Sequence, residues 1–415
     1  MSSKKKILMI SDHALSTSGV GVQSRHLING LVEKGEWSVR QLGAAIKHAN
    51  YDTIKVNDDF IIKPIDGFGN RDMLRLVLAQ EKPDLLLIFT DPRFFIWLFD
   101  MEDEVHQICP IAWWHVWDNY PIPKFNYPLY EATDAINCHS HLTYELCATD
   151  FPEKTRFIPH ALPEETYFPL PQQAIKQLRS QVLGPDRVDH FIGFWINRNA
   201  KRKRPNDLLV AWSRFLDLLE EKHGHKNATL LLHTNPLDPE GPNLFATTES
   251  LNIVNNVFFS QDRLDFDKIN ILHNIADFYT CISFAEGFGL GTLEAMQCGN
   301  PIIATKTGGM TRQVVDHRDG SENGIALDIE LRTLVGSQQV PYIYEDYTSI
   351  EAIAQSFLKM YEMGPEKRQA LGQKAREYVL SEFALQKTID DWHASLNDTI
   401  EKFRNKKIRW TLETL

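Results

Sequence analysis

The sequence predicts an α/β fold made of two domains, each built around a parallel sheet, and three observations predict it. Short β-branched and apolar runs alternate with segments of helical periodicity along the chain. Strands that alternate with helices form parallel sheets covered on both faces. The alternation occurs in two arrays of about equal size, and between them prolines interrupt the pattern at 163–185. We therefore expect two Rossmann-like domains with a cleft between them.

In the first array, a helix is expected after the first strand because Leu27, Ile28 and Leu31 share one apolar face and Gly35 ends the pattern. This array makes up the expected first domain, residues 1–170. Its expected strands are Ile7–Asp12, Val39–Ala44, Phe60–Ile65, Leu85–Thr90, Pro110–Val116, Ala135–Ser140 and Arg156–Pro159.

The second array makes up the expected second domain, residues 186–381. The charged tail at about 382–403 is expected to form a helix that packs back on the first domain, with Trp392 as its buried anchor. The expected helices of the second domain include Asp207–Glu221, Asp267–Asn274, Thr292–Cys298 and Ile350–Glu362. Its expected strands are Phe191–Asn197, Leu230–Asn235, Val257–Ser260, Phe278–Ser283, Ile302–Thr305 and Gly324–Leu327.

Composition narrows the class of protein. The chain has 415 residues, of which 43% are hydrophobic and 24% charged, which is ordinary for a globular protein with a substantial core. A formal net charge of −11 argues against nucleic acid as the partner. No apolar run approaches the ~20 residues that span a bilayer, and the run Ile7–Asp12 is too short for a signal-peptide core. The five cysteines form no C-x-x-C pair, so neither a disulfide framework nor a zinc site is indicated. We expect a cytoplasmic protein.

The most informative motif runs from Glu286 to Ala304 and begins Glu-Gly-Phe-Gly-Leu-Gly-Thr-Leu-Glu. A strand, a glycine-rich turn and a helix in that order form a phosphate site, because free N–H groups and the helix dipole point above the turn. The carboxylates of Glu286 and Glu294 would repel a phosphate. Each is therefore expected to bind a neutral, hydroxyl-rich group beside the phosphate, and a sugar nucleotide offers both kinds of group.

This motif, with the following Ala-Met-x-x-Gly-x-Pro-Ile-Ile-Ala, resembles the signature of the retaining glycosyltransferases of GT-B fold grouped as family 4. The resemblance implies that Glu286 faces the transferred sugar and that Glu294 binds the nucleotide ribose. It also implies that the turn binds the donor substrate through Gly287, Phe288, Gly289, Leu290, Gly291 and Thr292.

A basic run from Arg198 to Arg204 follows the first strand of the second domain. Taken alone, it is also consistent with a solvated charged face or a nucleic-acid patch. The resembled family carries an arginine and a lysine here, which implies that Arg198 and Lys203 neutralise the leaving diphosphate. The neighbours Lys201, Arg202 and Arg204 are expected to face solvent, and the register around Lys203 stays open by one residue.

In the first domain, the segment Ala112–Asn119 contains His115 at the end of an expected strand. The resemblance implies that this histidine faces the cleft and contacts the transferred sugar. Two alternatives remain: a hydrogen-bonded core histidine, or Asp118 as the contact. Trp113, Trp114 and Trp117 offer a stacking face for a sugar, although strand alternation places some of them in the core.

Three further loops are candidates for substrate binding. The turn with Gly19 and Gly21 approaches the donor diphosphate in the resembled family, or else needs glycine only for its backbone freedom. Gly308 and Gly309 line the nucleotide cleft in that family, or else form a tight turn between a strand and a helix. The last candidates, His233 and Asn235, end a strand of the second domain.

The sequence thus predicts a retaining glycosyltransferase that moves a hexose from a nucleotide-diphosphate sugar to a glycan, lipid-linked or small-molecule acceptor. The triplet Asp265-Phe-Asp267 precedes a helix and is interpreted as a cap, so no metal and no cofactor are expected. A lipid acceptor would imply peripheral membrane contact. The alternatives are a catalytically silent GT-B module that binds nucleotide sugars, a nucleotide-sugar epimerase, and a phosphorylase, which would need pyridoxal phosphate.

Overall fold

The structure is a computed structural model and describes residues 4–406. Its strands are β1 (Lys5–Asp12), β2 (Trp37–Ala44), β3 (Ile54–Lys55), β4 (Phe60–Pro64), β5 (Leu85–Phe89), β6 (Ile111–His115), β7 (Ala135–Cys138), β8 (Thr155–Phe157), β9 (Phe191–Ile196), β10 (Ala228–His233), β11 (Val257–Ser260), β12 (Phe278–Cys281), β13 (Ile302–Thr305), β14 (Gly324–Leu327), β15 (Leu331–Val335) and β16 (Ile343–Tyr347). Residues 1–3 of the expected first domain lie outside the described residues.

The α-helices are α1 (Gly19–Glu33), α2 (Arg71–Glu81), α3 (Ile96–Phe99), α4 (Glu102–His106), α5 (Tyr127–Ala132), α6 (His141–Asp150), α7 (Gln172–Leu183), α8 (Pro205–His223), α9 (Leu244–Ser250), α10 (Phe266–Ile275), α11 (Leu290–Gln297), α12 (Thr311–Val314), α13 (Ile350–Glu362), α14 (Gly364–Glu382) and α15 (Leu385–Asn405). None of the helices in the described part of the chain is long and apolar enough to cross a membrane.

The chain divides into two compact units. The first comprises the described residues up to Ala161, the short segment Gly336–Pro341 and the described residues from Leu385 onward. The second comprises Leu162–Val335 and Tyr342–Ala384. Each unit is built on its own parallel sheet with helices, so the predicted α/β class is confirmed.

The first unit contains an eight-stranded sheet in the order β3-β4-β2-β1-β5-β6-β7-β8. All neighbouring strands are parallel except β3, which pairs antiparallel with β4. Helix α15 packs on this sheet: the Trp392 ring is fully buried and lies 4.7 Å from that of Trp114. Farther along the helix, the Ser395 hydroxyl donates to Asn137 Oδ1 at 2.7 Å.

The second unit contains a six-stranded parallel sheet in the order β11-β10-β9-β12-β13-β14. Helices α8 and α13 cover one face with a core that includes Trp212, Phe215 and Phe357. A second apolar cluster covers the other face and includes Phe194, Leu293 and Met296. Because both faces are covered, the ends of the strands are the part of the sheet that remains available to a ligand.

Two features differ from the sequence-based expectation. The first unit ends at Ala161 and not at 170, and the second begins at Leu162 and not at 186. Helix α7 belongs to the second unit because Arg179 donates to the Ile275 carbonyl and forms an ion pair with Asp277 at 2.9 Å. The second difference is an antiparallel hairpin, β15–β16, which extends the loop between β14 and α13.

Candidate functional site

Three loops of the second unit meet at the carboxyl edge of its sheet. Strands β9, β12 and β13 are parallel neighbours, so the chain segments that follow them emerge side by side. The segment after β9 carries the basic run, the segment after β12 carries Glu286, and the segment after β13 carries Gly308 and Gly309. This edge is where open α/β sheets bind their ligands.

Glu286 is the centre of this group. Its residue is only 8% exposed, yet its carboxylate forms an ion pair with Lys203 Nζ, and Arg202 Nη1 lies 3.4 Å away. The Ser283 hydroxyl also donates to it, at 3.2 Å. Burial alone would raise the pKa of Glu286, but the Lys203 and Arg202 charges and the hydrogen bonds outweigh it and lower the pKa to about 2. Glu286 is therefore ionised at neutral pH.

The basic run is divided between this site and the core. Lys203 is nearly buried, with a side chain 12% exposed, and its ammonium is on Glu286. Arg202 does not simply face solvent as expected, because its Nη1 donates to the Ala285 carbonyl at 2.6 Å next to Glu286. Two cations of the run, at positions 202 and 203, therefore lie at the same carboxylate.

Arg204 departs most from the expectation that it faces solvent. Its side chain is 3% exposed and forms an ion pair with Asp207 at 2.7 Å. The guanidinium lies over the rings of Phe284 and Tyr347, at 4.8 and 5.6 Å from their centroids. These cation–π contacts and the ion pair make Arg204 a core residue.

Arg198 lies in a different environment, at the start of the segment that follows β9. Its side chain is 57% exposed, and its guanidinium is already paired with two carboxylates. Nε donates to Asp238 at 2.9 Å, and Nη1 lies 2.9 Å from Glu240. The pKa of Arg198 is raised above its ordinary value, first by the hydrogen bond to Asp238. A diphosphate bound by Arg198 would have to replace these carboxylates.

The glycine turn after Glu286 is tightly packed and leads into α11. Gly289 has a positive φ of 90°, and no side chain caps the helix that follows it. A Cβ at Gly291 would lie 2.5 Å from the Tyr279 hydroxyl, so only glycine fits there. Uncapped N–H groups at a helix start are suited to an anion. The Thr292 hydroxyl in this turn is buried without a hydrogen-bond partner in the described part of the chain.

The second glycine turn packs directly against the first. The Gly309 N–H donates to the Glu286 carbonyl at 2.9 Å. A Cβ at Gly309 would lie 2.3 Å from the Gly287 carbonyl oxygen and 2.7 Å from Phe288 Cα. Gln313 Nε2 also donates to the Phe288 carbonyl at 2.5 Å. Gly308, with a φ of 51°, begins this second turn. The backbones of the two turns are therefore packed together around Glu286.

Glu294 lies on α11, the helix that follows the glycine turn. Its carboxylate lies 3.1 Å from His273 Nε2, and the His273 side chain is fully buried. The Tyr167 hydroxyl also hydrogen-bonds to Glu294, and burial together with this carboxylate raises the pKa of Tyr167. Glu294 keeps 15% of its side chain exposed, so the carboxylate is oriented by buried partners and still reaches the surface.

The two candidates after β10 lie at the same edge of the sheet. His233 ends β10, and its Nδ1 is 2.9 Å from the Ser260 hydroxyl at the end of β11. Burial lowers the pKa of His233, which keeps the ring neutral. Asn235 uses its side chain locally: Oδ1 accepts the Leu237 N–H at 3.0 Å and so shapes the loop that carries Asp238.

His115, in the first unit, corrects a prediction. It is fully buried at the end of β6, and its Nε2 is 2.8 Å from the Tyr130 hydroxyl. Trp113 and Trp114 are also fully buried, and Trp117 is 7% exposed. The His115 ring packs against the rings of Trp113 and Tyr130, with centroids 4.3 and 5.2 Å away, so its position at a strand end does not bring its side chain to the surface. His115 and the tryptophans are core residues in this structure, and they offer no stacking face to a sugar.

The remaining candidates of the first unit lie in loops. Asp118 follows β6 and is partly buried. Gly19 begins α1, whose first turn is capped by Ser18 accepting from the Gly21 N–H at 3.0 Å. A Cβ at Gly21 would lie 2.6 Å from the His13 carbonyl oxygen, so the close packing of this turn requires glycine.

The triplet Asp265-Phe-Asp267 takes the helix-start position. Asp265 occupies the N-cap position of α10 and Asp267 lies in its first turn, although the Asp265 side chain makes no capping hydrogen bond. The Asp265 carbonyl accepts the Ile269 N–H at 3.0 Å instead. Within residues 4–406, no cluster of three or more histidine, cysteine or acidic side chains is arranged to hold a metal ion.

Several residues of the site could not be predicted from the sequence. Ser283 and Arg202 contact Glu286, and the only signal for them is their adjacency to the motifs. His273 comes from α10 and stands in no motif, whereas Thr307 directly precedes the motif glycines Gly308 and Gly309 in the segment after β13. Their roles depend on side-chain directions that spacing alone does not give.

Comparisons with known proteins show which proteins this chain is similar to. The sequence model described as glycosyl transferases group 1 matches residues 188–378, which include every residue of the site around Glu286. The N-acetyl-alpha-D-glucosaminyl L-malate synthase of Bacillus anthracis is 25% identical over 213 residues, 51% of this chain and 47% of that protein. The D-inositol 3-phosphate glycosyltransferase of Corynebacterium jeikeium is 28% identical over 176 residues, 42% of this chain and 39% of that protein. The chain thus spans less than half the length of these curated relatives.

Solved structures share the fold over nearly the whole chain. The sucrose-phosphate synthase of Thermosynechococcus elongatus superposes with a TM-score of 0.74 at 17% identity. The superposition covers 96% of this chain and 100% of the synthase chain. The HepE protein of Anabaena, solved in complex with UDP-glucose, has a TM-score of 0.69 at 17% identity and covers 95% and 99% of the two chains. The fold is that of GT-B glycosyltransferases. Residues 188–378 of this chain match the family described as glycosyl transferases group 1.

Proposed function

We propose that this protein transfers a hexose from a nucleotide-diphosphate sugar to an acceptor with retention of the anomeric configuration. The observation that carries the proposal is the buried ion pair between Lys203 and Glu286 beside the uncapped start of α11. The second unit binds the donor in this proposal. The first unit binds the acceptor, which follows from the resemblance to the family and not from a described contact.

The ion pair matches the bond that the reaction breaks. In a sugar nucleotide, the anomeric carbon is joined through one oxygen to the phosphate, so the group that serves the sugar and the group that serves the phosphate must be neighbours. Glu286 and Lys203 are in contact. With Glu286 toward the sugar, Lys203 lies toward the departing phosphate, where a fixed cation stabilises the new negative charge.

Retention is supported by the electrostatics of Glu286. A carboxyl group with a pKa near 2 is neither a proton donor at neutral pH nor a strong base, because both roles need a pKa closer to the working pH. Glu286 instead supplies fixed negative charge next to a sugar that becomes positive as its bond to phosphate breaks. The acceptor proton then passes to the leaving phosphate on the same face of the sugar, which gives retention.

We propose that protein cations, and not a metal ion, neutralise the leaving diphosphate. Lys203 and Arg202 lie at Glu286, and the start of α11 adds N–H groups and dipole. Arg198 would join them by exchanging Asp238 and Glu240 for phosphate oxygens, because a guanidinium binds either anion through the same pair of N–H donors.

The donor assay tests the proposal directly. Purified protein is incubated with UDP-, GDP- and ADP-hexoses, beginning with UDP-glucose because the Anabaena protein of the same fold was solved with it, and release of nucleoside diphosphate is followed. The expected result is release from one donor class, increased by an acceptor, and a product whose anomeric configuration equals that of the donor by NMR. Binding without release would favour the silent module, and conversion of the donor without release of diphosphate would favour the epimerase.

A further inference from the structure

The β15–β16 hairpin is attached to the candidate donor site through its last residues. The strands pair in antiparallel register from Leu331 with Tyr347 to Val335 with Ile343. Side chains of β15 are exposed to solvent: Leu331 is 60% exposed and Leu334 is 57% exposed. Asp346 is the exception, because its residue has no exposed surface. A buried charge on an exposed hairpin calls for an account of what binds it.

Three donors on two chain segments bind Asp346. Arg332 of the facing strand donates from Nε at 2.6 Å and from Nη2 at 3.2 Å. The Thr307 hydroxyl donates to Oδ2 at 2.6 Å, the same carboxylate oxygen that accepts from Arg332 Nη2. The backbone adds a further link, since the Asp346 N–H donates to the Phe284 carbonyl at 2.8 Å. One residue of the hairpin therefore holds both the segment after β12 and the segment after β13.

These two segments are the ones that surround Glu286. Thr307 is followed by Gly308 and Gly309, and the Gly309 N–H donates to the Glu286 carbonyl. Gly309 is packed closely against Gly287: a Cβ on Gly309 would lie only 2.3 Å from the Gly287 carbonyl oxygen. A shift of Thr307 is therefore transmitted to the backbone of Glu286.

The hairpin also reaches the lysine side of the ion pair. The guanidinium of Arg204, the residue after Lys203, contacts the rings of both Phe284 and Tyr347, whose centroids are 4.4 Å apart. Its Nη2 donates to the Thr348 carbonyl at 3.0 Å. The residues that end the hairpin thus contact the supports of both partners, Glu286 through Thr307 and Lys203 through Arg204.

We propose that Asp346 is a positioning residue of the donor site: through the Thr307 hydroxyl it fixes the Gly308–Gly309 turn and with it the backbone of Glu286. This inference rests on the proposed function, because it assigns Asp346 a role in glycosyl transfer. Asp346 does not touch the substrate in this account. It keeps Glu286 in register with Lys203, and small displacements of such groups lower turnover.

Two substitutions break the link in different ways. Asp346→Ala removes the carboxylate. Thr307→Val removes only the hydroxyl in a side chain of the same shape, and leaves Asp346 paired with Arg332. Both are expected to lower kcat by about tenfold to a hundredfold with unchanged affinity for nucleoside diphosphate by calorimetry. Thr307→Ser keeps the hydroxyl and should retain the kcat of the wild type.

The matched control is Asp277→Ala. Asp277 is a second nearly buried carboxylate of the same unit, bound by Arg179 at 2.9 Å, by Arg368 at 3.4 Å and by the Ile192 N–H at 2.8 Å. It lies at the amino end of β12, the end of the strand away from the Glu286 segment. Its loss is expected to lower the melting temperature while kcat is retained.

The double variant and amide exchange complete the test. Asp346→Ala combined with Thr307→Val should lose no more kcat than the more severe single variant, because both act through one contact. In hydrogen–deuterium exchange, both single variants should expose the Gly309 amide while Asp277→Ala does not. If Asp346→Ala fails to fold, Thr307→Val decides the question.

Three results would overturn the proposal: an unchanged kcat in folded Thr307→Val, an equal loss of kcat in Asp277→Ala, or unaltered exchange at Gly309. A wild-type protein that turns over no sugar nucleotide would refute the proposed function instead. The exchange experiment would then still report on the link between Asp346 and the turn, so the two failures can be told apart.

Discussion

The Glu286 carboxylate and the Lys203 ammonium form an ion pair whose side chains are 11% and 12% exposed. They are brought together from loops that follow two neighbouring parallel strands, β9 and β12. A pair so nearly buried is costly to keep unless other donors satisfy it, and Arg202 and Ser283 do so here. Its position beside an uncapped helix start is the basis for the predictions below.

Glu286→Gln is expected to abolish glycosyl transfer while nucleoside diphosphate still binds. The amide keeps the shape of the side chain but removes the negative charge that faces the sugar in the proposed mechanism. Donor turnover and calorimetry with the free diphosphate are measured on the same preparation. Turnover within a few-fold of the wild type would contradict the assignment of Glu286 to the sugar.

The same residue predicts a pH dependence of stability. The pKa of Glu286 is lowered from its ordinary 4.5 to about 2, so its ionised form is stabilised in the folded state. This stabilisation is complete above about pH 4.5 and is lost as the pH falls toward 2, and it amounts to on the order of 3 kcal/mol. Urea unfolding of wild type and Glu286→Gln at pH 6 and pH 3 measures it. The difference in free energy of unfolding between the two proteins should shrink at pH 3, and a constant difference would contradict the prediction.

Glu294→Ala is expected to weaken nucleotide binding, because the carboxylate is assigned to the ribose hydroxyls. Loss of charge-assisted hydrogen bonds costs roughly 1.5–3 kcal/mol. His273 orients this carboxylate from a fully buried position. His273→Gln should therefore weaken nucleotide binding less than Glu294→Ala does, since the carboxylate remains. Calorimetry with the nucleoside diphosphate gives both values, and full affinity in Glu294→Ala would rule out the ribose contact.

Helix α15 gives a prediction about folding. Trp392 is fully buried and lies against Trp114 in the first unit. Trp392→Ala should cost about 3–5 kcal/mol, as for other large residues truncated in a core. Lys387→Ala on the same helix is the control, since its side chain is 62% exposed. Thermal unfolding followed by circular dichroism compares the two variants, and equal melting temperatures would show that α15 is dispensable for stability.

The fold could be predicted further than the site. Strand β9 is expected at Phe191–Asn197 and runs over Phe191–Ile196, because buried parallel strands are continuous apolar runs. The hairpin β15–β16 could not be predicted, since β15 is exposed along most of its length and shows no apolar run. Its role near Glu286 depends on tertiary contacts of Asp346 that are invisible in the sequence.

At the site, the spacing of glycines and acids predicts Glu286 and its turn as candidates, while the arrangement of the neighbouring cations depends on side-chain directions that spacing does not give. Lys203, Arg202 and Arg204 are consecutive, yet the first two reach Glu286 and the third enters the core. His115 shows the same limit, because a strand end says nothing about which way the ring turns. Charge alone does not decide which cation of a basic run binds a ligand.

The last prediction concerns metal ions. A nucleotide sugar carries about two negative charges on its diphosphate, and transferases balance them with either a divalent cation or protein cations. Lys203 and Arg202 are already held at the candidate site, and a metal ion beside them would be repelled. Turnover should therefore survive excess EDTA. Lys203→Ala should instead raise the barrier by about 3 kcal/mol, as for a lost oxyanion donor, while Lys201→Ala, at an exposed position of the same run, should leave it unchanged. Loss of turnover in EDTA, restored by Mg²⁺ or Mn²⁺, would contradict this account and would direct attention to Asp265 and Asp267.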